Sequence, residues 1–151
     1  MKHFCALAIG ALCIFTTLGC AKKIDDSQAA SKEWRVVEIR KESGVKIGPE
    51  SLMDRELKDS FIIAFETNRI TGAGVSSRFS ATYAIIDDSI TIFAIKITGS
   101  AAPIKEPIEL KEREFFTLLK NVYRWTIASD KLTLFTKDGG GKEAALIFKE
   151  R

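Results

Sequence analysis

The residues with the clearest chemistry in this sequence are its cysteines and its histidine, because these side chains supply nucleophiles, bases and metal ligands. The sequence contains three Cys and one His, and all four lie within the first twenty residues. Residues 4–15 of that segment are apolar or small and follow a short basic start, which is the order of a secretory signal peptide. The run is too short for a membrane-spanning helix, which needs about 20 residues. We therefore predict a signal peptide over residues 1–19, with Cys20 as the residue that follows cleavage.

The pair Gly19-Cys20 resembles the end of a bacterial lipoprotein signal, in which the Cys is acylated and becomes the new N-terminus. Thr17 and Leu18 occupy the places where such signals usually carry Leu and a small residue. We expect Cys20 to carry palmitate-type acyl chains, since several chains on one residue anchor a protein stably. Residues 20–32 are then the anchor and a flexible tether. Ala21 rather than Asp after the Cys favours the outer membrane, on its periplasmic face or at the cell surface.

Cleavage before Cys20 would leave a chain without His, whose one Cys carries lipid. Such a chain has no Ser-His-Asp triad, no Cys-His pair and no internal disulfide. Zinc sites, which mostly use His or Cys ligands, have none available. We accordingly predict no catalytic, metal-binding or cofactor-binding residues, and expect that the protein is not an enzyme.

Carboxylates are the remaining groups that could catalyse a reaction, because a glycosidase needs only two of them. The obvious pairs are Asp87-Asp88 and Glu112/Glu114, and Glu66 lies near a strand end. The first pair is typical of a turn and the second of the start of a helix, so we favour structural roles for both. The sequence still leaves a carboxylate-dependent hydrolase open, as a pair that meets only in three dimensions.

The composition indicates one globular domain: 46% of the residues are hydrophobic, 28% are charged, and the net charge is +3. A charge this small predicts no nucleic-acid partner. Aromatic residues are numerous in the predicted domain and would fill a core, or else line a cavity that carries a lipid or another apolar ligand. The residues concerned are Phe61, Phe65, Phe79, Phe93, Phe115, Phe116, Phe135 and Phe148.

Hydrophobic periodicity predicts an α+β domain over residues 33–151, with a mainly antiparallel, strongly curled sheet or partial barrel. Several segments alternate; in residues 89–98 we expect Ile90, Ile92, Ala94 and Lys96 to share one face. The period changes to helical at about residues 111–122, where Phe115, Leu118, Leu119 and Val122 form one apolar stripe. This helix should pack on the sheet. A further helical turn is predicted at Leu52 to Leu57.

This order of elements resembles the META domain family, whose HslJ-like members are heat-inducible lipoproteins of the bacterial envelope. The family signature reads roughly G-x-x-G-C-N-x-x-x-G-x-Y, and residues 72–83 align with it, with Ser76 at the Cys position, Ser77 at the Asn and Tyr83 kept. Ala102 stands at a second family Cys. The resemblance implies a membrane-anchored envelope protein, associated with stress and without established catalysis. It would act by binding or in a structural role, and its partner would be the membrane and an envelope protein or apolar ligand.

Overall fold

The computed structural model describes residues 29–30, 32–47, 59–99 and 110–151. The predicted signal peptide, Cys20 and the turn predicted at Leu52 to Leu57 lie outside these ranges. Ala29 is 2% exposed, and Ala30 pairs with Phe65, so residues just before the predicted start of the domain contact it. The proposed boundaries at residues 19 and 32 stay predictions.

The described residues form nine strands and the predicted helix. The strands are β1 (Glu33–Lys41), β2 (Gly44–Ile47), β3 (Ile62–Glu66), β4 (Arg69–Ala73), β5 (Ser77–Ile86), β6 (Ser89–Gly99), β7 (Arg124–Ala128), β8 (Lys131–Lys137) and β9 (Glu143–Glu150), and the helix is α1 (Glu112–Lys120). None of the helices within the described ranges is both long enough and apolar enough to cross a lipid bilayer.

The strands pair antiparallel into one sheet that returns to its own first strand. Neighbours follow the order β2-β1-β3-β4-β5-β6-β7-β8-β9, and β1 also pairs with β9. One edge of β1 pairs with β9, and the other edge pairs with β3 near its start and with β2 near its end. All strands except β2 therefore form a closed ring of eight, and β2 lies beside it. The ring is weakest between β6 and β7, which share the single pair Ser89↔Arg124. The predicted curled antiparallel sheet with one packed helix is confirmed.

Helix α1 lies against this sheet through the apolar stripe read from the sequence. Phe115, Leu118 and Leu119 are fully buried, and Val122 just beyond the helix is nearly so. The helix begins after Lys111, whose backbone is extended, and ends at Lys120, slightly inside the predicted bounds. Its first turn is acidic and its last turn basic, which suits the helix dipole.

Aromatic rings fill the space between α1 and the sheet. The Phe115 ring meets those of Phe61 and Phe79 edge-on, with centroids 5.3 and 6.2 Å apart. Phe79 also contacts Phe116 at 5.3 Å. Edge-to-face rings at these distances attract one another beyond their burial. The interior therefore matches the filled-core interpretation of the phenylalanines.

The prediction that Ile90, Ile92, Ala94 and Lys96 share one face is wrong, because β6 contains a bulge. Ile90 and Ile92 are buried as expected, but Ala94 has a φ of 53°, and the register with β5 shifts at this point. One extra residue reverses the alternation beyond it. Lys96 consequently pairs with Ser80 on the outer face. Phe93, which precedes the bulge, is 46% exposed on that same face.

Phe135 also lies outside the core. It is half-buried on the outer face of β8, where the Arg124 guanidinium lies 4.1 Å from its ring centroid. An arginine at this distance interacts favourably with the face of the ring. Phe93 and Phe135 thus do not contribute to the aromatic interior that the sequence suggested.

Candidate functional site

The carboxylate of Glu112 joins the helix to the sheet. Its Oε1 accepts hydrogen bonds from the backbone N–H groups of Ser76 and Ser77, at 3.2 and 3.0 Å. The hydroxyls of the same serines donate to Oε2 and Oε1, at 2.9 and 2.6 Å. Four donors from Ser76 and from Ser77, the first residue of β5, thereby fix the first turn of α1, and we call this set the Glu112 junction.

The charge of Glu112 is stabilised by this junction. Burial alone would raise the pKa of the carboxyl, because it removes water from the charged form. The hydrogen bonds from Ser77 and Ser76 act in the opposite direction and outweigh burial, so the pKa lies below its usual 4.5. A general acid needs the reverse, a pKa raised towards neutrality. The geometry therefore gives Glu112 a structural role.

We expect Glu112→Gln to lower the free energy of unfolding by about 1–2 kcal/mol at pH 7, because hydrogen bonds to a charged acceptor become neutral ones. The folded pKa is lower than the unfolded one, so the contribution is present above pH 4.5 and disappears as pH falls through the folded value. Urea unfolding from pH 7 to pH 3 would measure this. Asp88→Asn, at an exposed turn, should change stability little throughout; a Glu112→Gln deficit as large at pH 3 as at pH 7 would contradict the charge-based explanation.

The other candidate carboxylates have separate structural surroundings. Glu114 forms an ion pair with Lys41 at 2.5 Å, and Glu66 accepts a hydrogen bond from the Thr71 hydroxyl at 3.2 Å. Asp87 and Asp88 are exposed in the β5–β6 turn. Among the residues that the structure describes, no group of three or more His, Cys, Asp or Glu side chains is arranged to hold a metal ion.

The sequence missed the partners of Glu112, although it placed this residue at the start of a helix. Ser76 and Ser77 are the residues aligned with the Cys and Asn of the META signature, so the substituted motif lies at the junction itself. Gly74 permits the close approach, because a Cβ there would collide with the Glu112 carboxylate. The chain separation of 35 residues hides this contact from local sequence patterns.

A second candidate site, also missed, is an open groove of about 760 Å³ on the outer surface of β3, β4, β5 and β6. Arg69, Arg78 and Lys96 line it, one from each of β4, β5 and β6. We call these three exposed residues, with the hydroxyl residues Thr71 and Ser80 between them, the cationic face. The β6 bulge is what turns Lys96 towards this side.

The comparisons with known proteins agree with the fold. The META domain model matches residues 27–150. A crystal structure of a DUF4847 family protein from Bacteroides vulgatus is 18% identical, with a TM-score of 0.52 over 82% of this chain and 95% of the other. An NMR structure of a protein from Burkholderia xenovorans is 12% identical, with a TM-score of 0.58 over 100% of this chain and 98% of the other. No curated protein matches. At these identities the solved structures establish the fold alone, whereas the domain model covers most of the sequence: the chain belongs to the META domain family.

Proposed function

We propose that this chain is a noncatalytic lipoprotein of the bacterial cell envelope, held at the membrane through acylated Cys20 and acting by binding or in a structural role. The observation that carries the proposal is Gly19-Cys20 at the end of a signal-like apolar run, followed by a polar segment that joins a folded domain. Membership of the META domain family supports an envelope role, and a stress-associated one, through the resemblance described above.

The noncatalytic part of the proposal is supported by what the candidate carboxylates do. Glu112 binds Ser76 and Ser77 at the start of β5, and Glu114 binds Lys41. Both are occupied by bonds that hold elements together, and the pKa of Glu112 is shifted away from that of a general acid. A hydrolase that uses this pair would have to break the contacts that position the helix.

The filled interior favours binding at the surface over carriage of an apolar ligand between sheet and helix. Phe61, Phe79 and Phe115 fill the buried space beneath the helix. A cleft of about 570 Å³ between α1 and β6 is open to solvent, and Glu112, Arg113 and Lys120 line it beside apolar side chains. The outer groove is likewise open and is lined by charged and hydroxyl side chains.

Metabolic labelling with an alkyne fatty acid tests the anchor. The wild-type protein should be labelled and recovered with membranes. Cys20→Ser should lose the label completely, because the lipid is attached through the Cys20 sulfur. Cys13→Ser is the matched control and should be labelled like the wild type. Equal labelling of wild type and Cys20→Ser would contradict the proposal.

A further inference from the structure

We propose that the cationic face docks on anionic phospholipid headgroups of the membrane that holds this chain. This inference rests on the proposed anchor, and it adds an orientation: the outer side of β4–β6 faces the lipid.

The described part of the chain provides no ion-pair partner for the cationic face. Arg69, Arg78 and Lys96 form no ion pair with any residue in the described ranges. On the other side of the ring, Lys137 and Lys149 pair with Glu143 and Asp130, at 3.8 and 3.4 Å. Guanidinium and ammonium groups are the usual binders of phosphate, so an unneutralised set indicates an anionic partner.

The acidic residues around the groove do not cancel this charge. Glu33 and Asp59 also line the groove, and both form ion pairs with Arg151. Glu66 is exposed at the end of β3, beside Arg69 in the ladder, and accepts the Thr71 hydroxyl. Arg69, Arg78, Lys96 and Arg151 therefore stand against the three carboxylates Glu33, Asp59 and Glu66, which leaves a net charge of +1 among these described residues.

The spacing of the cations fits a surface better than a single phosphate. Ser80 pairs with Thr71 on one side and with Lys96 on the other. Arg78 lies two residues along β5 from Ser80, and Arg69 lies in the opposite direction on β4. Strand rise and separation place the backbone positions of Arg69 and Arg78 about 14 Å apart. Charges spread this widely, with hydroxyl donors between them, can contact several headgroups at once.

Phe93 favours a lipid surface over a dissolved anion. It pairs with Thr82, which pairs in turn with Arg69, so its exposed ring lies on the same side as the cations. Exposed aromatic side chains beside basic residues are typical of protein surfaces that enter the headgroup region.

The entry of the chain brings this surface to the membrane. Glu33, the first residue of β1, lines the groove, and Ala30 pairs with Phe65 on neighbouring β3. Nine positions separate Cys20 from Ala29, and any flexible chain of that length reaches about 15–18 Å. The cationic face can thus come within the Debye length of about 8 Å, where each basic residue strengthens attachment to an anionic surface roughly fivefold.

Site-specific quenching tests the proposal on the intact acylated protein. Because Cys20 is acylated, an introduced Cys is the only reactive thiol of the mature chain. Thr98→Cys places a fluorophore beside Arg78, and Thr133→Cys places it on the outer face of β8 as a control. Both are reconstituted in phosphatidylcholine vesicles with or without phosphatidylglycerol, and a nitroxide-headgroup lipid is the quencher.

We expect phosphatidylglycerol to increase quenching at position 98 but not at position 133. Arg78→Glu with Lys96→Glu should lower the ratio of docked to undocked protein by roughly 25-fold or more. Lys131→Glu with Lys149→Glu makes the same change of net charge on β8 and β9 and should leave the ratio unchanged. Equal quenching at both positions, or no response to phosphatidylglycerol, overturns the docking inference. If the protein still floats with the vesicles in that case, the proposed anchor stands. A protein that does not float overturns both.

Discussion

We expect Phe115→Ala to lower the free energy of unfolding by about 3–5 kcal/mol, the range for truncating a buried phenylalanine. Phe115 is fully buried, and its ring contacts Phe61, Phe79 and Phe116. Its loss would leave a cavity bounded by rings that belong to both the helix and the sheet, so neither side can close it alone. Denaturant unfolding monitored by tryptophan fluorescence would measure the change.

Phe93→Ala is the matched control for this prediction. The same atoms are removed, but Phe93 is 46% exposed on the outer face of β6, so its loss should cost about 0.5 kcal/mol or less. Similar losses for the two variants would mean that α1 does not cover the aromatic core as described.

The second large effect is expected at Gly72, where a methyl group has no space. A Cβ at this position would collide with the Ile62 carbonyl oxygen and lie 2.6 Å from the Phe79 ring. Phe115 and Phe116 hold that ring in place, so it cannot move aside. We expect Gly72→Ala to lower the free energy of unfolding by about 3 kcal/mol, the upper end of typical overpacking costs.

Gly99→Ala provides the comparison for Gly72→Ala. Gly99 lies at the end of β6, and a Cβ there would meet nothing within 4 Å. Its replacement should shift the denaturation midpoint little, within about 0.5 kcal/mol. If Gly72→Ala is equally mild, β3 and β4 can separate locally at no great cost, and the tight packing of Phe79 over Gly72 is not required.

The sequence predicts those parts of the fold that depend on local periodicity. The stripe of Phe115, Leu118 and Leu119 identifies the helix, because burial on one side imposes a 3.6-residue period. Alternation in residues 78–86 identifies β5 for the corresponding reason in a strand. The prediction fails from Ala94 onward, because a bulge adds one residue without a distinctive composition.

The candidate sites were harder to predict because they join distant segments. The Glu112 junction depends on a contact between the start of a helix and the start of a strand 35 residues earlier. The cationic face depends on the register of three strands, and one of its residues is oriented by the bulge. Neither register nor bulge position is readable from one sequence. By contrast, Cys20 is predicted from contiguous residues and stays a prediction, since it lies outside the described ranges.

The pairing of β1 with β9 has a consequence for the order of folding. Lys32 and Glu150, which bond at 2.7 Å, are 118 positions apart in the chain, and β1 pairs along most of its length with β9. Contacts of such sequence separation slow folding, typically to milliseconds or seconds. Because a chain is synthesised from its N-terminus, β1 emerges first. The edge of β1 that later pairs with β9 is unpaired until then, and a free strand edge is prone to pair with other chains. The interval before β9 arrives is therefore when this domain should most need a chaperone.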